Sequence, residues 1–145
     1  YGKGFFALVK TSNPSSADLQ DLTMKDGRAV YEIMGHFVDL WGADDLGECG
    51  YSFVGAVCGA TYPKQAAKLR EIMPNTIFLV PGYGAHGGGA SEVKPCFKNG
   101  EGAIVNNSRG ITFAYEKSDK FTEKQYAEAA RDAVLAMKKD LESAL

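Results

Sequence analysis

Apolar and polar positions fall into four repeats, each a short unbroken apolar run followed by a stretch of helical spacing. The first run is Gly4, Phe5, Phe6, Ala7, Leu8 and Val9. It lacks the alternation of a half-exposed strand and predicts one buried on both faces. It ends in the polar turn Thr11, Ser12, Asn13, Pro14, after which Ser15 and Asp18 stand at capping-box spacing and open helical sequence. Ala29, Val30, Ile33, Met34, Phe37, Val38 and Trp41 then recur at helical spacing up to Gly42. Met34, Phe37 and Trp41 are expected in the core, and His36 on the outer side of that helix.

The second unit has a strand at 53–58, a loop of Gly59, Ala60, Thr61 and Tyr62, and a helix that Pro63 opens. That helix carries Ala66, Leu69 and Met73 on one side and stops before Pro74. A third strand, 76–80, runs into the glycine-rich segment 81–89, and a short helix is expected around 92–97. The fourth strand, 102–105, leads into Asn106, Asn107, Ser108, Arg109 and Gly110. Thr122 with Gln125 caps a last helix bearing Tyr126, Ala129, Ala130, Ala133, Val134, Met137 and Leu141. The order βαβαβαβα, with strands lacking polar alternation, predicts a parallel sheet covered by helices. A doubly wound sheet and a barrel both satisfy it. In either, ligands bind at the carboxyl ends of the strands, where the loops rich in Gly, Ser, Thr and Asn lie.

Composition narrows the partners. At 145 residues, 45% hydrophobic and 23% charged, the chain suits a single globular unit. A net charge of −2 provides no basic field, so no nucleic-acid partner is expected. No apolar run approaches the roughly 20 residues that span a bilayer. The start at Tyr1, with neither Met nor a signal-like apolar region, predicts that the chain begins inside a longer one. Three cysteines without CxxC spacing and two histidines argue against structural zinc and for free thiols in a reducing cytoplasm.

The candidate chemistry sits in the loops after the strands. Five glycines in 81–89 can bring backbone N–H groups close to an anion, although the segment is neither GxGxxG nor a Walker sequence. His86 lies within it and is the one histidine near this chemistry. Ser108 and Arg109, directly after the fourth strand, suit a phosphate. Ser12 and Asn13 offer hydrogen-bonding groups after the first strand. The charged segment 117–124 reads as a solvated loop. No acid–base pair, Ser-His-Asp arrangement or metal-ligand cluster stands out. The residues suit gripping a phosphorylated ligand and lack reactive groups.

Four segments taken together resemble orotidine 5′-phosphate decarboxylase, particularly its longer bacterial branch. They are Leu8-Val9-Lys10-Thr11-Ser12-Asn13-Pro14, Val57-Cys58-Gly59-Ala60-Thr61-Tyr62-Pro63, Val80-Pro81-Gly82-Tyr83-Gly84-Ala85 and Asn107-Ser108-Arg109-Gly110-Ile111. The resemblance implies the C-terminal half of a (β/α)8 barrel, strands five to eight, as one segment over 1–145. It implies conversion of orotidine 5′-phosphate to UMP and CO2 with no metal or organic cofactor, in a cytoplasmic homodimer. Position by position, Ser12 would hydrogen-bond the pyrimidine, Pro81 would pack on it, and Arg109 with the N–H groups of Ser108 and Arg109 would hold the phosphate. His86 stands where the family usually has Gln. The family's Asp-x-Lys-x-x-Asp run is absent, so no catalytic residue is expected in this chain and the N-terminal half is an expected partner. Four such units leave two sheet edges and one sheet face that something else must cover. Two other readings stay open: another phosphate-binding barrel lyase or synthase, and a non-catalytic nucleotide-binding module.

Overall fold

In the computed structural model, which describes residues 2–84 and 89–145, four strands form one parallel sheet in the order β1-β2-β3-β4. They are β1 (Phe5–Lys10), β2 (Val54–Cys58), β3 (Phe78–Val80) and β4 (Ala103–Val105). Sequential strands are spatial neighbours, so each crossover carries a helical segment. These are α1 (Ala17–Gln20) with α2 (Val30–Gly42), then α3 (Pro63–Ile72), then α4 (Ala90–Val93). After β4 come α5 (Ser108–Thr112) and the long α6 (Tyr126–Ala144).

The helices lie on one face of the sheet. Ala7 and Val9 of β1, Ala56 and Cys58 of β2, and Phe78 and Val80 of β3 form a core with Val38, Leu69, Met73, Val93 and Cys96. The alternate residues point the other way. Register aligns Leu8 with Val57, Val57 with Leu79 and Leu79 with Ile104, giving an apolar row across the opposite face. No helix of the described residues covers it, and its outer members are open, Leu8 at 64% and Ile104 at 52% exposure, while Val57 in its middle is buried among its neighbours. The expectation of strands buried on both faces therefore holds for β2 alone, and the outer strands are corrected to one buried face.

Two further expectations are corrected. Pro14 starts a 3-10 turn over Pro14–Ser16, and the Ser15 hydroxyl accepts from Asn13 Nδ2 at 2.8 Å, so Ser15 and Asp18 form no capping box. Phe37 and Trp41 lie outside the core: Trp41 is 52% exposed, stacked on Phe37 with ring centroids 6.0 Å apart. The buried side of α2 is Gly35, Val38 and Gly42. A Cβ on Gly42 would overlap Ser52, and one on Gly35 would press on Leu69 at 2.7 Å, so small residues bring this helix down onto its neighbours. The expected cap of the last helix is present as Gln125 Oε1 accepting from the Thr122 N–H and hydroxyl. Tyr126 and Val134 of the α6 stripe face outward, while Ala129 and Met137 are buried.

Candidate substrate pocket at the carboxyl edge

The loops leaving all four strands converge at one edge of the sheet. Backbone bonds extend the strand pairing into them: Gly59 N–H donates to the Lys10 carbonyl (2.6 Å), Ala60 to Pro81 (2.9 Å) and Asn106 to Val80 (3.2 Å). Ser12 is held between two glycines. A Cβ on Gly59 would stand 2.7 Å from the Ser12 backbone, and one on Gly82 would stand 3.1 Å from the Ser12 Cβ. Gly82 also has φ of +101°, a backbone state that glycine adopts without steric cost. Side chains at these two positions would push the Ser12 loop away from its neighbours.

At this convergence is an open pocket of about 180 Å³, lined among others by Ser12, Pro81, Tyr83, Asn106, Ser108 and Arg109. Four of the five sequence-predicted site residues, Ser12, Pro81, Ser108 and Arg109, thus meet in one place although they come from three loops. The fifth, His86, lies outside the described residues. A larger hollow of about 500 Å³ opens on the other side of Arg109, toward Gly84, Asn107, Phe113 and Glu116.

Electrostatically the pocket favours an anion. Asn107 Oδ1 accepts from the Gly110 N–H at 3.2 Å and the Asn107 carbonyl accepts from Ile111, which caps α5 from within. The N–H groups of Ser108 and Arg109 open that helix and have no acceptor inside it. Arg109 is exposed and makes no ion pair among the described residues, so its guanidinium is available to a ligand. Among the described residues no group of His, Cys, Asp and Glu is arranged to hold a metal.

Three features in or beneath the pocket are not assigned from sequence. Asn106 places a buried Oδ1 with no hydrogen-bond partner among the described residues. Tyr83 donates its hydroxyl to Asp140 at 2.6 Å, tying the glycine-rich loop to α6. Burial and that carboxylate push the Tyr83 phenol up to about 12, so it remains a donor. Lys10 is buried directly beneath the Ser12 loop. A period-two or helical count does not read such residues, and Tyr83 and Lys10 owe their places to partners distant in sequence, Asp140 and Tyr62.

No family model matches the chain. Among curated proteins it is 46% identical over 144 residues to the orotidine 5′-phosphate decarboxylase of Clostridium tetani, covering 99% of this chain and 49% of that protein. It is 45% identical over 139 residues to that of Clostridium novyi, covering 96% and 48%. Solved structures agree. Leishmania donovani OMP decarboxylase superposes with a TM-score of 0.66 at 30% identity, over 90% of this chain and 44% of that one. The UMP synthase of the same organism gives 0.66 at 32%, over 90% and 27%. The chain spans about half the length of the curated relatives it matches. By sequence and by its parallel α/β fold, it is homologous across nearly its whole length to about half of an orotidine 5′-phosphate decarboxylase.

Proposed function

We propose that this chain forms the substrate-gripping part of an orotidine 5′-phosphate decarboxylase, which converts orotidine 5′-phosphate to UMP and CO2. In this reading the four strands are the fifth to eighth of a (β/α)8 barrel, and 1–145 is its C-terminal half. The observation that carries the proposal is the meeting of Ser12, Pro81, Ser108 and Arg109 in one pocket at the carboxyl edge of the sheet. Ser12 hydrogen-bonds the pyrimidine and Pro81 packs against its face. Arg109 and the N–H groups of Ser108 and Arg109 take the phosphate. His86 is included among the substrate-binding residues by the resemblance alone, at the position where the family usually has Gln.

The decarboxylating charges lie outside this sequence, in the N-terminal half, and the complete enzyme is a cytoplasmic homodimer needing no cofactor. The grip still governs rate. A phosphate remote from the scissile bond supplies binding energy that orders loops and desolvates the reacting centre, so it acts on the transition state as well as on binding.

The test is decarboxylation of orotidine 5′-phosphate by the polypeptide continuing upstream of Tyr1, run beside this chain alone. Turnover by the longer protein only is the expected result; turnover by neither removes the reading. In the active protein, Arg109→Ala is expected to lower kcat/KM on the order of a hundredfold, about 3 kcal/mol of lost transition-state stabilisation. A variant close to wild type would rule out the phosphate role.

A further inference from the structure

At the end of β1 the chain buries a lysine. A register shift between Leu8 and Lys10 breaks the alternation of the strand, so the consecutive Val9 and Lys10 are both buried, Lys10 to 1% exposure. Its ammonium donates to Asp21 Oδ1 at 2.8 Å and to Ser16 Oγ at 3.2 Å, and lies 4.2 Å from the centre of the Tyr62 ring. An ammonium withdrawn from water costs several kcal/mol, and a buried ion pair recovers little of it as net stability. In some proteins such a pair serves to fix the geometry of the segments that supply its partners.

Those segments are the ones that hold Ser12. Ser16 ends the turn that follows Ser12, Asp21 follows α1, and Tyr62 enters α3. Tyr62 donates its hydroxyl to the Asn13 carbonyl at 3.3 Å and receives a bond from Ser16 Oγ at 3.4 Å. Its neighbour Thr61 donates to the Ser12 carbonyl at 3.2 Å. Gln20 Oε1 accepts from the Thr11 N–H at 3.0 Å, closing the segment on itself. The ammonium is thus the centre around which 11–21 folds, with Ser12 standing at the pocket.

We infer that Lys10 is a positioning residue for ligand recognition: through Ser16, Asp21 and Tyr62 it fixes the loop that presents Ser12 to the base of the bound nucleotide. This rests on the pocket's reading as a pyrimidine-nucleotide site. It differs from a merely stabilising lysine in one respect. Its removal acts on the base-binding contact and spares the phosphate contact at Arg109.

The experiment is a double-mutant cycle in the complete polypeptide, with Lys10→Met, Ser12→Ala and the pair, reading affinity for UMP and for ribose 5-phosphate, which lacks the base. Lys10→Met is expected to weaken UMP about tenfold while leaving ribose 5-phosphate within about twofold. It should add less than about twofold once Ser12 is already Ala. Asp21→Asn, at a half-exposed site, provides the same readouts at lower risk to folding and is expected to shift UMP affinity in the same direction. Independent, multiplying effects of Lys10 and Ser12, or equal losses for both ligands, overturn the inference. A wild-type protein that binds UMP and fails only the cycle sinks the inference alone; one that neither binds UMP nor decarboxylates sinks the functional reading and the inference with it.

Discussion

Cys58 and Cys96 show how burial sets the chemistry of single side chains. Both thiols are buried, and Cys49 is exposed. Desolvation pushes the Cys58 thiol well up, helped by the neighbouring Cys96 and opposed by the Arg70 guanidinium. Desolvation likewise carries Cys96 up to about 12, again against Arg70. Thiolate is the reactive form, so at pH 8 an alkylating reagent should modify Cys49 in the native protein and all three cysteines in denaturant. Rapid native labelling of Cys96, read by peptide mass, would contradict this. The linkage has a definite sign. In the unfolded chain Cys96 releases its proton near the ordinary value of 9.0, while in the fold it holds it to about 12. The neutral thiol's contribution is therefore complete below pH 9 and lost as pH rises toward 12. Urea midpoints should fall from pH 8 to pH 10.5, and fall less in Cys96→Ala.

Between elements, the counterpart to the pocket is a clasp at the opposite end of the sheet. Arg70, in the last turn of α3, donates to the carbonyls of Met73, Thr76, Cys96 and Gly102 at 2.7–3.0 Å and lies 3.6 Å from the Phe78 ring centre. One guanidinium thereby ties the entry of β3, the turn before residue 97 and the entry of β4. Lysine has fewer donors and no planar fork, so Arg70→Lys should cost roughly 2–4 kcal/mol by leaving buried carbonyls unpaired. An unchanged urea midpoint in the complete polypeptide would show that the clasp is dispensable. The strands, α2, α3 and α6 were legible in the sequence because unbroken apolar runs and helical stripes mark elements by local pattern. The pocket residues Ser12, Pro81, Ser108 and Arg109 were legible through motifs and their place after strands. Phe37 and Trp41 were misread because a stripe says which residues share a side and not which neighbour covers it; Gly35 and Gly42 make the close contact without hydropathy to announce it. Lys10 and Arg70 went unread for a related reason. A charged residue looks solvated until its partners, up to 52 residues away for Lys10 and Tyr62 and 32 for Arg70 and Gly102, are brought to it.

For the whole molecule, the open sheet face decides behaviour in solution. Phe6 lies over Gly55, and Leu8 and Ile104 stand exposed on the same side, with β1 and β4 as the outer strands of the sheet. Exposed apolar rows beside unpaired strand edges favour association. Alone at micromolar concentration, this chain is expected to sediment as oligomers or heterogeneous aggregates, whereas the polypeptide extended upstream should be monodisperse. A stable, cooperatively unfolding monomer of 145 residues would count against the half-barrel reading. The helical side offers a second uncovered surface in Phe37, Leu40 and Trp41 of α2. Trp41 is the chain's single tryptophan, which turns that surface into an optical gauge. While its indole faces water, emission is red-shifted and open to acrylamide quenching. Burial of the α2 surface would move the spectrum to the blue and shield the ring, so one cuvette and no added label report whether anything has closed over α2.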